Sequence, residues 1–335
     1  MNDSLDDGFG AYIERLSQVL GRSKRRAALQ AYAIGLLSDL ERKSIEPIAA
    51  LSNPLDVRAA HQSLHHFVAN ADWSDAALLT AVREEVLPAI EQRGAIEAWI
   101  IDDTSFPKKG RHSVGVARQY CGQLGKQDNC QAAVSLSLAN AWASLPVAWD
   151  LYLPKVWAED PERRRKAGVP QEVSFASKPM MALKQIRAAV EAGLPRGVVL
   201  ADAGYGADMK LQAGLLELGL EYIVAVQPNA TIWLEGEGPL EPKPWSGRGR
   251  KPRNLRRDAE HQPISARDWA KSLPRKAWKQ VTWRQGAGGA LKSRFAMARM
   301  RPAHRDYQRQ QPWPELTALV EWPVPVAGSF EEKFL

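Results

Sequence analysis

Two apolar stretches of the chain each run directly into aspartate, a residue type that can bind a metal ion. Residues 99–103 read WIIDD and end in Asp102 and Asp103, and residues 198–202 read VVLAD and end in Asp202. A carboxylate at the end of a buried strand is costly unless a cation pairs with it, and a divalent metal is a common partner. Two such strands predict one metal site at a sheet edge. The alternative is that each aspartate only caps the turn or helix that follows it.

Hydrophobic periodicity predicts the elements that would position these aspartates. Three meandering strands followed by alternating helices and strands give an α/β fold, a mixed sheet with helices on both faces. In that topology the first strand is central, and the strand ending at Asp202 can lie beside it. The predicted order is strand, strand, strand, helix, strand, helix, strand, over 98–103, 131–141, 145–153, 178–192, 198–202, 207–218 and 222–227.

The regions on either side of this core differ from it in character. Apolar residues at helical spacing precede the core, and basic residues such as Arg25 and Arg26 favour phosphate contact by this helical region; a solvated helix face is the alternative. Beyond the core, proline and glycine become frequent and short strands are predicted. The predicted domains are a helical, DNA-binding domain at 1–95, the α/β core that carries both aspartate strands at 96–228, a β-rich insertion at 229–322 and a tail at 323–335.

The β-rich insertion carries the most basic stretch of the chain, residues 247–257. An extended Gly-Arg-Gly-Arg-Lys-Pro segment could lay its arginines into a narrow minor groove, and a solvated loop is the alternative. Strands are predicted around this stretch at 279–284, 294–300 and 316–322. The expected DNA-binding residues here are Arg248, Arg250, Lys251, Arg253, Arg256 and Arg257.

Composition limits the class of protein. The 335 residues are 45% hydrophobic and 25% charged, as in ordinary folded proteins, and the net charge of +7 favours a polyanionic partner. No apolar run approaches the length of about 18 residues that a membrane span needs, and no signal peptide is recognisable at the N-terminus. The two cysteines, Cys121 and Cys130, lack metal-binding spacing. We therefore expect a cytoplasmic protein with reduced thiols and no membrane partner.

The residues around the two aspartates resemble the DDE transposases of bacterial insertion sequences, a ribonuclease H-like family. The resemblance lies in residues 101–131, from IDDTSFPKKG through HSVGVARQYCG to NCQ, and in residues 200–206, LADAGYG. It implies cut-and-paste DNA transposition by metal-dependent phosphodiester hydrolysis and strand transfer. The cofactors implied are two divalent ions, Mg²⁺ or Mn²⁺, held by Asp-Asp-Glu. The partners implied are transposon terminal repeats and target DNA, with a homodimer forming on the DNA.

The resemblance also implies roles for individual residues. Asp103 matches the first catalytic aspartate, because it directly precedes Thr104 as in the family. Asp102 points to the opposite face of a regular strand and is the second choice. Asp202 matches the second aspartate. The cations just past the first strand, which could hold the phosphates of the scissile strand, are Lys108, Lys109 and Arg111.

The chain departs from the family's pattern after Met300. In the family, the glutamate lies on a long helix with Tyr, Arg and Lys at set spacings, and no such pattern follows here. Glu331 or Glu332 could supply the third carboxylate only if the tail folded back. We therefore expect a C-terminally truncated transposase that lacks its closing catalytic helix. Its activity would be impaired, because two aspartates alone hold a metal pair weakly.

Two other functions are compatible with the sequence. A non-catalytic DNA-binding regulator or inhibitor derived from a transposase would bind DNA in a salt-dependent way without metal-dependent nicking. A self-sufficient ribonuclease H-like nuclease acting on RNA–DNA hybrids would need Glu331, Glu332 or Asp208 in its site.

Overall fold

The chain divides into two compact units. The first comprises the residues up to 200 together with 215–223, and the second comprises 201–214 together with the residues from 224 onward. Within its described ranges, no helix is both long enough and apolar enough to cross a membrane. The structure is a computed structural model, and it describes residues 2–21, 24–286 and 289–323.

The N-terminal part of the first unit is helical, as the apolar spacing predicts. Ile13, Leu16 and Leu20 recur on one face of the first helix, and they pack in one buried cluster with Ile48 and Leu64. The cluster joins several short helices into one core. The helices are α1 (Asn2–Val19), α2 (Lys24–Leu37), α3 (Ile45–Ser52), α4 (Val57–His65), a π-helical turn (His66–Asn70) and α5 (Asp75–Glu91).

A six-stranded sheet follows the helices. Its strands are β1 (Ala98–Pro107), β2 (Ala117–Cys121), β3 (Lys126–Ala139), β4 (Ser144–Leu151), β5 (Val198–Ala201) and β6 (Tyr222–Val224). β3 pairs antiparallel with β1, β2 and β4. β1 lies between β3 and β5, and β6 lies beyond β5.

Strands β1 and β5 run parallel, because they begin side by side. Val198 N–H donates to the carbonyl oxygen of Glu97 at 2.8 Å, and the Trp99 indole donates to the carbonyl oxygen of Pro195 at 2.8 Å. The sheet is therefore mixed, with β1 central. This is the order expected for a ribonuclease H-like core.

Five helices accompany this sheet in the chain. α8 shows best why one of them forms, because its buried residues Ala182, Gln185 and Ile186 recur at helical spacing. Gln185 Nε2 donates to the carbonyl oxygen of Val134 at 3.0 Å, which ties α8 to β3. The helices are α6 (Lys155–Ala158), α7 (Pro161–Lys166), α8 (Lys178–Glu191), α9 (Ala203–Gly206) and α10 (Met209–Glu217).

The second unit contains a separate five-stranded sheet. Ile232, Trp269 and Met300 form its buried cluster. The strands predicted from residue 279 onward are present and are longer than predicted, whereas the two short strands and the helix before them were not predicted. The elements are β7 (Thr231–Leu234), β8 (Ile264–Ser265), α11 (Ala266–Ser272), β9 (Lys279–Gly286), β10 (Gly289–Pro302) and β11 (Leu316–Pro323).

Candidate active site

Strand β1 places its two aspartates on opposite faces of the sheet. Side chains alternate along a strand, and the buried Trp99 and Ile101 share a face with Asp103. Asp102 lies on the other face and is exposed. Its Oδ1 accepts a hydrogen bond from the backbone N–H of Asp103 at 2.8 Å. Asp103 is therefore the aspartate that shares a face with the apolar core residues.

The Asp103 carboxylate forms an ion pair with Lys178, the first residue of α8. Lys178 Nζ donates to Asp103 Oδ2, and about a quarter of each side chain is exposed, 24% for the lysine and 25% for the aspartate. The ammonium also lies 5.5 Å from the centre of the Tyr152 ring, within cation–π range. Burial raises the pKa of the Tyr152 hydroxyl. Sequence reasoning missed Lys178, because nothing local marks a partner 75 positions from Asp103.

A second carboxylate, that of Asp150, lies on the same face of the sheet as Asp103. Asp103, Val134 and Asp150 stand opposite one another across β1, β3 and β4. Gln185 of α8 donates from Nε2 to the Val134 carbonyl oxygen at 3.0 Å and to Asp150 Oδ2 at 2.8 Å. Within the described part of the chain, its buried Oε1 has no hydrogen-bond partner. The amide of Gln185 therefore engages the Asp150 carboxylate, which the sequence did not single out.

Asp202 follows β5 directly and caps the short helix α9. Its Oδ1 accepts a hydrogen bond from the backbone N–H of Gly204 at 2.9 Å, and its side chain is exposed. A Cβ at Gly206 would overlap the carbonyl oxygen of Ala225, so only glycine fits there and the turn after Asp202 is fixed. Asp202 thus makes the capping contact that the sequence offered as an alternative. A carboxylate has two oxygens, so a cap does not exhaust its acceptors.

The carboxylates of Asp103 and Asp202 fit a divalent metal by their donor chemistry, because Mg²⁺ and Mn²⁺ prefer oxygen ligands. The ammonium on Asp103 also indicates that this carboxylate attracts a cation. Among the residues that the structure describes, no three or more His, Cys, Asp or Glu side chains are grouped to hold a metal. Asp103 and Asp202 each supply carboxylate oxygen as a donor.

The residues considered for the third carboxylate divide into two cases. Asp208 caps the start of α10, where its Oδ1 accepts hydrogen bonds from the backbone N–H groups of Lys210 at 2.9 Å and Leu211 at 3.2 Å. Glu331 and Glu332, with the rest of the tail after residue 323, lie outside the described residues.

A basic loop, residues 108–111, follows β1 and presents its charged side chains to solvent. Asn129 Nδ2 donates to the carbonyl oxygens of residues 108 and 110, at 2.6 and 2.8 Å. Arg163 Nη2 donates to the carbonyl oxygen of residue 111 at 2.9 Å. The protein thus holds the backbone of the loop while its side chains stay available to a ligand. The exposed cations are Lys108, Lys109 and Arg111.

Helix α7 adds a second basic segment, which sequence reasoning missed although residues 163–166 read RRRK. Arg163 lies over the buried Trp157 ring, 3.7 Å from its centre, and also contacts the basic loop. Arg164 donates to four backbone carbonyl oxygens at 2.6 to 3.3 Å, so its role is structural. Arg165 and Lys166 are exposed. Arg163 therefore joins two basic segments into one surface.

The basic stretch 247–257 of the second unit contains residues of two kinds. Arg256 and Arg257 are partly buried. Arg256 lies 3.4 Å from Asp258, and its backbone pairs with Leu240. The exposed residues, which remain candidates for nucleic-acid contact, are Arg248, Arg250, Lys251 and Arg253.

Arg257 is held in a buried ion pair. Arg257 Nη2 lies 2.6 Å from Asp306 Oδ1 in an ion pair, and Nε donates a hydrogen bond to the same oxygen at 2.9 Å. Nη2 also donates to the Ala303 carbonyl oxygen. The Asp306 side chain is 0% exposed. The Trp233 indole donates to its other oxygen at 2.6 Å. This geometry assigns Arg257 a structural contact rather than a surface one.

The chain is similar in sequence to a transposase and matches a family model of endonucleases. The chain is 34% identical over 197 residues to a protein of Microchaete diplosiphon described as "Probable transposase for insertion sequence element IS701". The match covers 58% of this chain and 47% of the relative, so the chain spans about half the length of that protein. A family model described as "DDE superfamily endonuclease" matches residues 15–290, which include both aspartate strands. The chain belongs to the DDE superfamily endonucleases.

Proposed function

We propose that this chain is an insertion-sequence transposase that cuts and joins DNA by metal-dependent phosphodiester hydrolysis and strand transfer. The observation that carries the proposal is the sheet order: β1 carries Asp103, and its parallel neighbour β5 is followed directly by Asp202, in a chain of the DDE endonuclease family. Asp103 and Asp202 would hold Mg²⁺ or Mn²⁺, with two ions in a complete site. When bound, such ions activate water and then a DNA 3′-hydroxyl for attack on phosphodiesters.

The chain's own basic residues would hold the DNA. The basic loop 108–111 lies just past β1, and Arg163 links it to α7. Exposed Lys109, Arg111, Arg165 and Lys166 can neutralise phosphates without reading sequence. The exposed part of stretch 247–257 supplies a further contact. Acting on transposon ends and target DNA in this way, the protein would work as a homodimer.

The test of catalysis is a nicking assay on a supercoiled plasmid that carries the DNA flanking this reading frame. We expect the unaltered protein to nick the plasmid weakly in Mg²⁺ or Mn²⁺ and not at all in EDTA, because two aspartates hold a metal pair weakly. Asp103→Asn and Asp202→Asn should each reduce nicking by about a hundredfold or more, because a neutral amide holds a divalent ion poorly. Asp102→Asn is the matched control, since Asp102 is an adjacent aspartate on the opposite face, and it should keep most of the activity. Full nicking by Asp103→Asn would contradict the site.

A non-catalytic DNA-binding regulator is the second candidate. It is favoured by the absence, among the described residues, of a group of three metal ligands and by the exposed basic surface. This function predicts that DNA binding weakens steeply as salt rises, while no nicking appears in any divalent metal. Binding and nicking measured on the same plasmid separate the two functions.

A further inference from the structure

We propose that Lys178 competes with the divalent metal for Asp103, so that its ammonium occupies the carboxylate in the metal-free protein and leaves it when the metal binds. This inference rests on the proposed function, because it takes Asp103 as a metal ligand. It gives Lys178 a positioning role in assembling the site.

The position of Lys178 in its helix supports this role. Lys178 is the first residue of α8, where the helix dipole favours an anion and disfavours a cation. The first turn of α8 contains no acidic residue that would offset this charge. The ammonium of Lys178 pairs instead with the carboxylate of Asp103 on β1. The ion pair therefore accounts for a lysine at a helix position that its charge does not favour.

The surroundings of the pair allow exchange. Both side chains are about one-quarter exposed, so water can solvate each charge when they separate. Lysine carries a compact charge on a flexible four-carbon stem, which can move without disturbing the backbone of α8. The Tyr152 ring, whose centre lies 5.5 Å from the ammonium, can still hold the cation by a cation–π contact after it leaves Asp103. The pair can thus open without unfolding any element.

The expected size of the effect follows from this exposure. A divalent ion must displace the ammonium from Asp103, so part of its binding energy is used to break the existing pair. Partly exposed ion pairs are weak, and a pair of this kind would lower the metal affinity by about two- to fivefold. Removing the ammonium should therefore tighten metal binding, although substitution of most residues near a metal site weakens it.

The test is titration of the full chain with Mn²⁺, with the free ion followed by electron paramagnetic resonance. Lys178→Met should bind Mn²⁺ about two- to fivefold more tightly than the unaltered protein. Lys178→Arg keeps a cation and should bind no more tightly than the unaltered protein. Lys184→Met is the matched control, because Lys184 is exposed on the same helix and its loss changes the net charge equally. It should leave the affinity unchanged, and circular dichroism should show that every variant is folded.

The outcomes separate this inference from the proposed function. If Asp103→Asn abolishes Mn²⁺ binding but Lys178→Met binds no more tightly than the unaltered protein, the competition is refuted and the metal site stands. Equal tightening by Lys178→Met and Lys184→Met would also refute it, because net charge alone would then explain the gain. If Asp103→Asn binds Mn²⁺ normally, both the metal site and the competition fail.

Discussion

Two ion pairs of this chain use similar groups in different surroundings. In the pair of Arg257 and Asp306, the aspartate is 0% exposed and the arginine 18%, and both aspartate oxygens accept hydrogen bonds from side chains. In the pair of Lys178 and Asp103, a single-point lysine contact is about one-quarter exposed on each side. A buried ion pair whose acceptors are all hydrogen-bonded fixes a structure, whereas an ion pair that is partly exposed to solvent can change partners. The difference separates a structural cation from one poised for exchange.

The largest expected effect on stability comes from breaking the buried pair of Arg257 and Asp306. Arg257→Met would leave Asp306 buried without its cation, and we expect it to cost about 3 kcal/mol in the free energy of unfolding. Urea denaturation followed by tryptophan fluorescence measures this loss. Arg253→Met, which removes an exposed arginine of the same stretch, should change stability by less than about 0.5 kcal/mol. Similar losses in the free energy of unfolding for both variants would show that the ion pair of Arg257 is not buried in solution.

The partly exposed pair of Lys178 and Asp103 should contribute much less to stability. Lys178→Met in metal-free buffer should cost about 1 kcal/mol or less, because solvent screens both partners of the pair. The same urea experiment, run in EDTA, measures it. A loss as large as that of Arg257→Met would remove the contrast between the pairs and with it the argument that Lys178 can leave Asp103.

The carboxylate of Glu315 gives the smallest expected effect on stability, and this effect depends on pH. The Gly236 N–H, which donates to it at 2.9 Å, lowers its pKa, and Arg301 and Arg299 act in the same direction. A lowered pKa means that the stabilisation is present above the ordinary value of 4.5 and is lost as the pH falls through the folded-state value. Between pH 7 and a pH below 4.5, the melting temperature should therefore fall less for Glu315→Gln than for the unaltered protein. An equal fall would exclude Glu315 as a source of acid sensitivity.

The sequence predicts the elements around Asp103 well and their partners poorly. The apolar run before Asp103 predicts β1, but the strand continues to Pro107 because pairing with β3 extends to Cys130. The first part of β3 and the whole of β2 were missed, since residues 126–129 are polar and lack alternation. Their signal was the tight turn at Gly125, whose φ of 63° suits glycine.

Charge patterns in the sequence do not reveal which cations are already paired. Arg257 belongs to a basic stretch and was expected to contact DNA, but its partner Asp306 lies 49 positions further on. Lys178 likewise meets Asp103 only through the packing of α8 on the sheet. In both cases tertiary structure brings together residues that no local spacing connects. The alternation of side chains along β1, by contrast, was sufficient to place Asp102 and Asp103 on opposite faces.

The anchoring of the basic loop has a consequence for the thermodynamics of binding. Asn129 and Arg163 engage the carbonyl oxygens of residues 108, 110 and 111, so the backbone of the loop is ordered before any ligand arrives. A preordered loop loses little conformational entropy when it binds, and it makes no coupled folding contribution to the heat capacity. Calorimetry of DNA binding should then show the small heat-capacity change of rigid surfaces meeting. Loosening the loop with Asn129→Ala would weaken binding through entropy while leaving every loop cation in place.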